Sequence, residues 1–456
     1  MASDEFRERL ERRKQEAAMT CDRLAEILPP GGGIVHFVRY PDLAAGARSA
    51  ARQMASPILP LPSAAAERYG AFCLAASAPG AWTLSFHDLG EADFLDTLIV
   101  SYRRSVEGEG GSGRPSARAE AEFRVASRSL HRRAWEPIAA RFAEAGPVGP
   151  EPGAAIVLLI PDSELLLVDF NTLLSPADEL VIERWSLHNL SSARDLLRLA
   201  EQTRAGAREG LLAVGCSGPD PAAAPMTRRP ASTLRSARPC DIDPRSLPPL
   251  SGAVDEARRI SDLYSRASGE PVTLLVGPEA TEGSAKRLMG SSRIIHLAAH
   301  GFFCGREAGD GGAVTRDAAE DPLLLSGLVL LAGPAGDDGI LFAQEVVGRD
   351  MRGTDWAVLS ACASGRGVQL FGDGLSGLRR AFEIAGVRTV LTSMWHIRDD
   401  VARDLMVRLY THRLSGESTV EAVRGAQLER LREVRSRFRR IHPALWGGIV
   451  AEGDWR

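Results

Sequence analysis

The chain has 456 residues, 44% of them hydrophobic and 25% charged, with a formal net charge of −4. At about 150 residues per domain, this length predicts two or three globular units with a substantial core, and the composition excludes a disordered chain. The near balance of charge gives no electrostatic reason to expect a nucleic-acid or membrane partner.

The amino-terminal stretch DEFRERLERRKQEAAMTCDRLAEIL reads as one amphipathic helix stopped by PPGGG, which sets off residues 1–29. It is too charged for a secretory signal, and no apolar run in the chain approaches the roughly 18 residues of a spanning helix, so a cytoplasmic location is expected. Three short runs follow, GIVHFVRY, RYGAFCLAAS and AWTLSFHDL, rich in β-branched and aromatic residues and separated by turn residues. EADFLDTLIVSYRRSV and EAEFRVASRSLHRRAWEPIAARFAEA have helical spacing on either side of the loop EGEGGSGRPSARAE. In AAIVLLIPDSELLLVDFNTLL two apolar runs are predicted to pair across the Pro161–Asp162 turn. GLLAVGCSG then leads into a segment rich in Pro, Ala, Arg and Ser, from Pro219 to Pro249, which reads as an exposed connection holding the domain boundary.

Beyond it the chain alternates helix SGAVDEARRISDLYSRA, strand PVTLLVG, helix TEGSAKRLM and the strands RIIHLAAHG, LLLSGLVLLAG and WAVLSAC. Helix GLSGLRRAFEIAG, strand VRTVLTSMW and helix VARDLMVRLYTHRL follow. Nearly continuous apolar strands between amphipathic helices predict an α/β fold, a mostly parallel sheet sandwiched by helices. Function in such sheets gathers at the carboxyl ends of the strands.

Two strand tails carry chemistry: IIHLAAHG ends at His300 and Gly301, and WAVLSACASG ends at Cys362. If their strands are neighbours, both side chains emerge on one edge, as a nucleophile and its base require. Cys362 alone reads as a buried small hydrophobe, because free cysteine is among the most buried residue types. Together with His300 and the glycines it reads as a nucleophile, with the backbone N–H groups of Gly301 and Cys362 as donors to an oxyanion. The 62 positions from His300 to Cys362 are close to the roughly 50-residue His-before-Cys separation of caspases. His296 reads as a core histidine bonded to backbone, on the same face as His300. The other cysteines, Cys21, Cys73, Cys216, Cys240 and Cys304, are scattered without any Cys-x-x-Cys pair, so no disulfide framework and no metal site are expected. Asp373 suits a helix N-cap, Asp399 and Asp400 suit the positive end of a helix, and Trp395, Trp446 and Trp455 read as core.

IIHLAAHGFF, AVLSACASGRG, GDGLSGLRRAFEIAGVRTVLTSMWHIRDD, LMVRLYTHRLSG, STVEAVRGAQLERL and HPALWGGIVAEGDW resemble successive blocks of the CHAT family, caspase-like and separase-like cysteine peptidases. The resemblance is specific over residues 292–456 and collinear back to about residue 30, where VLLIPDSELLLVDFNTLL is similar to a further block. It implies a caspase-like fold in which a degenerate, pseudo-protease half over 30–235 packs beside a catalytic half over 245–456. It also implies a His300–Cys362 dyad and Asp373, Asp399 and Trp395 as candidates for the substrate pocket, where an acidic residue would favour arginine or lysine before the cut. Ala299, Ala363, Ser364, His396 and Arg398 depart from the residues usual in relatives, which bears on substrate preference. The resemblance implies an endopeptidase that needs no cofactor, acts on specific protein substrates and answers to a separate sensor or activator protein in a bacterial signalling or defence pathway. A catalytically silent scaffold of the same fold is the alternative.

Overall fold

A computed structural model describes residues 20–28, 31–42, 66–78, 81–107, 115–145, 156–201, 208–218, 247–303, 325–333, 337–360, 368–370 and 374–456, together with 244 and 323. These fall into two compact units, one reaching Glu201 and the other beginning after it.

In the first unit the amino-terminal helix is described over Cys21–Ile27 (α1), where the Thr20 hydroxyl accepts the Arg23 N–H. Strands β1 (Gly33–Pro41), β2 (Glu67–Ala78) and β3 (Ala81–Glu91) form an antiparallel meander. Helices α2 (Ala92–Glu107), α3 (Ala117–Leu130) and α4 (Glu136–Ala145) follow, α3 and α4 being joined by a π-helical turn over His131–Trp135. Strands β4 (Ile156–Ile160) and β5 (Ser186–Asn189) extend the sheet in parallel from β1, and α5 (Ala193–Glu201) closes the unit.

The second apolar run of the Pro161–Asp162 block is not a strand. Ser163 takes a positive φ of 57°, and the chain then coils into 3₁₀ turns over Ser163–Leu167 and Phe170–Thr172. The Asp162 carboxylate is held by the Arg39 N–H at 2.8 Å, so the turn is tied back to β1 and the leucines are buried by coiling instead of pairing.

The second unit is built on β6 (Glu209–Gly215), α6 (Ser251–Ser268), β7 (Val272–Val276), α7 (Glu282–Leu288) and β8 (Ser292–Ala298). Next come β9 (His300–Phe303), β10 (Ser326–Val329), β11 (Ile340–Phe342), α8 (Ala343–Val347) and β12 (Trp356–Ser360). After β13 (Val368–Leu370) and β14 (Gly374–Ser376), a short hairpin, the chain forms α9 (Leu378–Ile384), β15 (Thr389–Ser393), α10 (Asp399–Leu414), α11 (Thr419–Phe438) and β16 (Ile449–Gly453).

Strands β15, β12, β8, β6 and β7 lie side by side in parallel, with β16 antiparallel to β15. The apolar runs of β8, β12 and β15 are buried almost throughout, as strands covered on both faces must be. Alternation sorts their side chains. Leu212, Ile295, Leu297, Ala357, Leu359 and Val390 pack in one core with residues of α7, α8 and α9. On the other face lie α6 and α10: Ala253, Ala257, Ile260 and Tyr264 form the buried stripe of α6, and Val401, Leu405, Leu409 and Tyr410 that of α10.

The expected fold class, a mostly parallel sheet between helices, is present, with two further differences in strand assignment. The LLLSGLVLL strand does not join the parallel sheet; β10 sits between β9 and β11 in a separate antiparallel sheet. Strand β6, read from sequence as preceding the boundary, is hydrogen-bonded between β7 and β8 and belongs to the second unit. Its parallel partners lie beyond the proline-rich connection, a long-range pairing invisible to local pattern.

Candidate functional site

Strand β8 ends at Ala298 and β12 at Ser360, and these two residues are register partners in the parallel ladder. The condition set by the sequence is met: the strands leading to His300 and Cys362 are adjacent and run the same way. After Ala298 a single residue, Ala299, turns the chain out of the large sheet, and His300 opens β9 of the small one, opposite Val329, with Gly301 opposite Leu328.

His300 is half-buried, and its Nε2 lies 2.7 Å from the Pro248 carbonyl. A carbonyl only accepts, so Nε2 carries the hydrogen and Nδ1 is the basic nitrogen of the neutral ring. Pro248 belongs to the short run ahead of α6, where the Leu250 N–H donates to the Ser217 carbonyl just past β6 at 2.9 Å. The same lead-in is therefore anchored on the sheet and orients the imidazole.

At these strand ends lies a cleft of about 40 Å³, room for a few water molecules. Ala298, Ala299, Ser360 and Ser393 contribute the tails of β8, β12 and β15. Leu250, Gly252 and Ala253 contribute the start of α6, and Ile397, Asp399 and Ala402 the start of α10. One Asp399 carboxylate oxygen accepts the Gly252 N–H at 3.2 Å, filling one of the four donor positions that a helix start leaves open. Gly252 permits the approach: a Cβ there would lie 2.6 Å from the Asp399 Cβ. Asp399 and Asp400 both stand in the first turn of α10, as expected, and Arg398 pairs with Asp400 at 2.8 Å.

Trp395 is buried, packed against Gly448, and is not among the described residues that line this cleft. Its Nε1 has no hydrogen-bond partner among the described residues. Cys362, Asp373 and Cys304 lie outside the described residues. The helix after Asp373 begins only at Leu378, with Gly377 as its N-cap, so Asp373 is not the cap that the pattern suggested. The intervening residues Gly374–Ser376 form β14 instead.

His296 is fully buried, but its partners are side chains and not backbone: Nε2 lies 3.0 Å from the Glu256 carboxylate and Nδ1 3.2 Å from the Tyr410 hydroxyl. Glu256, 3% exposed, also borders the cleft. Sequence reading missed Glu256 and Tyr410. The available signal was a carboxylate three residues from Ala253 and four from Ile260, on the apolar stripe of an amphipathic helix, where a charge has to be paired.

Of the described cysteines, Cys216 and Cys73 are buried. Burial raises the thiol of each, that of Cys73 to about 12, which keeps them protonated and poorly nucleophilic. Among the described residues no cluster of His, Cys, Asp or Glu has the makings of a metal site, and no helix is long and apolar enough to cross a membrane.

The sequence profile of a family described as CHAT domain matches residues 124–454. No curated protein matches the chain significantly. Among solved structures, the Arg-specific cysteine proteinase gingipain R aligns at 10% identity and a TM-score of 0.40, over 79% of this chain and 74% of that one. The complex of Porphyromonas gingivalis RgpB pro- and mature domains aligns at 10% identity and a TM-score of 0.40, over 80% and 76%. The Saccharomyces cerevisiae separase–securin complex aligns at 7% identity and a TM-score of 0.48; 95% of this chain is covered but only 31% of the other.

Proposed function

The chain belongs to the CHAT domain family, and from that premise we propose that it is a cysteine endopeptidase with Cys362 as nucleophile and His300 as base. The observation that carries this reading is the pairing of Ala298 with Ser360, because His300 and Cys362 each follow two residues later in the chain, and a cleft lies at the carboxyl ends of β8 and β12.

In this mechanism the free Nδ1 of His300 takes the thiol proton while Pro248 holds Nε2–H. The Cys362 sulfur attacks the scissile carbonyl, and the N–H groups of Gly301 and Cys362 stabilise the oxyanion. The protonated imidazole then gives its proton to the leaving amine, leaving a thioester. Water, deprotonated by the same nitrogen, hydrolyses that thioester and restores the thiol. Besides the peptide substrate and one water, these steps use only groups of the chain. Asp373 and Asp399 are the proposed carboxylates for a basic side chain before the cut, and the first unit is the degenerate half of a duplicated caspase-like plan.

The proposed substrates are one or a few proteins in a cytoplasmic, bacterial signalling or defence setting, with a separate protein supplying activation. The support is the resemblance in sequence together with the family match. The deciding experiment is cleavage of a diverse peptide library by the wild type and Cys362→Ala side by side, read by mass spectrometry. Cuts confined to the wild type are expected. Absence of any such cut, with and without co-encoded proteins, together with a Cys362 that no peptide-based electrophile labels, would favour a silent scaffold.

A further inference from the structure

His296, Glu256 and Tyr410 meet at one buried point, and they come from three different elements, β8, α6 and α10. All three side chains are buried, Tyr410 and His296 completely and Glu256 to 3% exposure. Burial raises the Tyr410 hydroxyl well above its ordinary value, so it keeps its hydrogen. Among the described residues the Nδ1 of His296 is the acceptor within reach of that hydrogen. His296 therefore carries its own hydrogen on Nε2 and donates it to Glu256, and each polar group has a partner.

The position of this relay gives it a use. Glu256 sits just over one turn inside α6, and the start of α6 is held again at Gly252 by Asp399. The residues leading into that start include Pro248, whose carbonyl takes the Nε2 hydrogen of His300. A carboxylate fixed to the middle of β8 therefore fixes, through α6, the group that orients a ring just past the end of the same strand. The distance from Glu256 to Pro248 along the chain is eight residues, most of it rigid helix or anchored lead-in.

Resting on the dyad reading above, we propose that Glu256, clamped by His296 and Tyr410, is a positioning residue for His300: it seats α6 so that the Pro248 carbonyl selects the imidazole tautomer with Nδ1 free to act as base. Removing the carboxylate lets the start of α6 and Pro248 drift from the ring, and the neutral imidazole then divides between its two tautomers. A glutamine preserves the seat, because its amide oxygen still accepts from the His296 Nε2–H.

The test uses the full chain labelled with ¹⁵N-histidine, with the His300 signals identified by their loss in His300→Ala. In the wild type the neutral His300 ring is expected almost wholly as the Nε2–H form. Glu256→Ala is expected to bring the other tautomer to a comparable population, and Glu256→Gln to restore the wild-type spectrum. If the alanine variant does not fold by circular dichroism, Glu256→Asp, which withdraws the carboxylate by one methylene, replaces it with the same expectation. A folded Ala or Asp variant with the wild-type tautomer would overturn the proposal. Alkylation of Cys362 by iodoacetamide against pH, in the wild type and His300→Ala, reads the dyad separately: a profile independent of His300 sinks the peptidase reading and leaves the tautomer result standing.

Discussion

The His300 imidazole and the Pro248 carbonyl are joined by a 2.7 Å hydrogen bond between two parts of the chain that local sequence does not connect. It fixes which ring nitrogen is a base before any substrate arrives. In the proposed dyad histidine is useful only in one tautomer, so an otherwise unremarked proline ahead of α6 would take part in the proposed chemistry.

Replacing His300 by alanine is expected to lower cleavage by about 10²- to 10⁴-fold, the range that a positioned acid–base group supplies, with little change in thermal stability for a half-buried side chain. Cys362→Ala is expected to abolish it. Initial rates on one peptide selected from the library, measured beside melting curves of both variants, check the pair. Equal cleavage by wild type and His300→Ala would remove the imidazole from the mechanism.

Glu383 on α9 gives a pH dependence of stability. Burial, and next the neighbouring Glu452 carboxylate, raise its carboxyl from 4.5 to about 7, while Arg380 lies 3.0 Å away and Arg379 pairs with Glu452 at 3.1 Å. A folded value above the unfolded one means that its contribution is whole below about pH 4.5 and is lost as pH rises through about 7. Glu383→Gln is therefore expected to be more stable than the wild type at pH 8, by about 3 kcal/mol at 1.36 kcal/mol per unit, with the gap closing toward pH 4.5. Thermal melts of both chains across that range measure it; a gap that does not vary with pH would contradict the assignment.

Asp399 caps a helix that is not its own. Asp399→Ala is expected to destabilise the second unit by about 1 kcal/mol through the open Gly252 N–H, and Asp399→Asn, which keeps an acceptor oxygen, by only a few tenths. Denaturant titration separates the two. If the asparagine variant also loses a preference for arginine before the cut, Asp399 acts on specificity in addition to its capping.

Gly448 has φ of +92°, and a Cβ there would come within 2.5 Å of the Trp395 ring. Gly448→Ala is expected to cost about 2 kcal/mol or more from backbone strain and overpacking together. Because Trp395 is buried and does not itself line the cleft, the sites of cleavage in the peptide library should stay those of the wild type. A changed cleavage pattern would return Trp395 to the substrate pocket.

The parallel sheet was legible because β8, β12 and β15 are nearly unbroken apolar runs between amphipathic helices, and that period survives in any single sequence. His300 was legible for the same reason, as a polar residue at the end of such a run. What escaped was set by distant partners. Local pattern extended IIHLAAHG as one strand, whereas pairing with β10 claims His300 for a second sheet. The SELLLVDF run has strand-like residues, but Ser163 turns at positive φ and the leucines are buried by coiling. The α6 carboxylate was missed because the histidine that satisfies it is 40 positions away.

Ala299 is the whole of the joint between the large sheet and the small one. Surface loops absorb an added or missing residue cheaply, because their ends can readjust. Here both flanks are locked in ladders, and the side-chain period of a strand is two, so a one-residue insertion or deletion at this corner has no slack to consume. It would turn His300 away from Pro248 or slide β9 along β10. Length variation among natural versions of this protein should accordingly spare this corner, even where the residue occupying it is free to change.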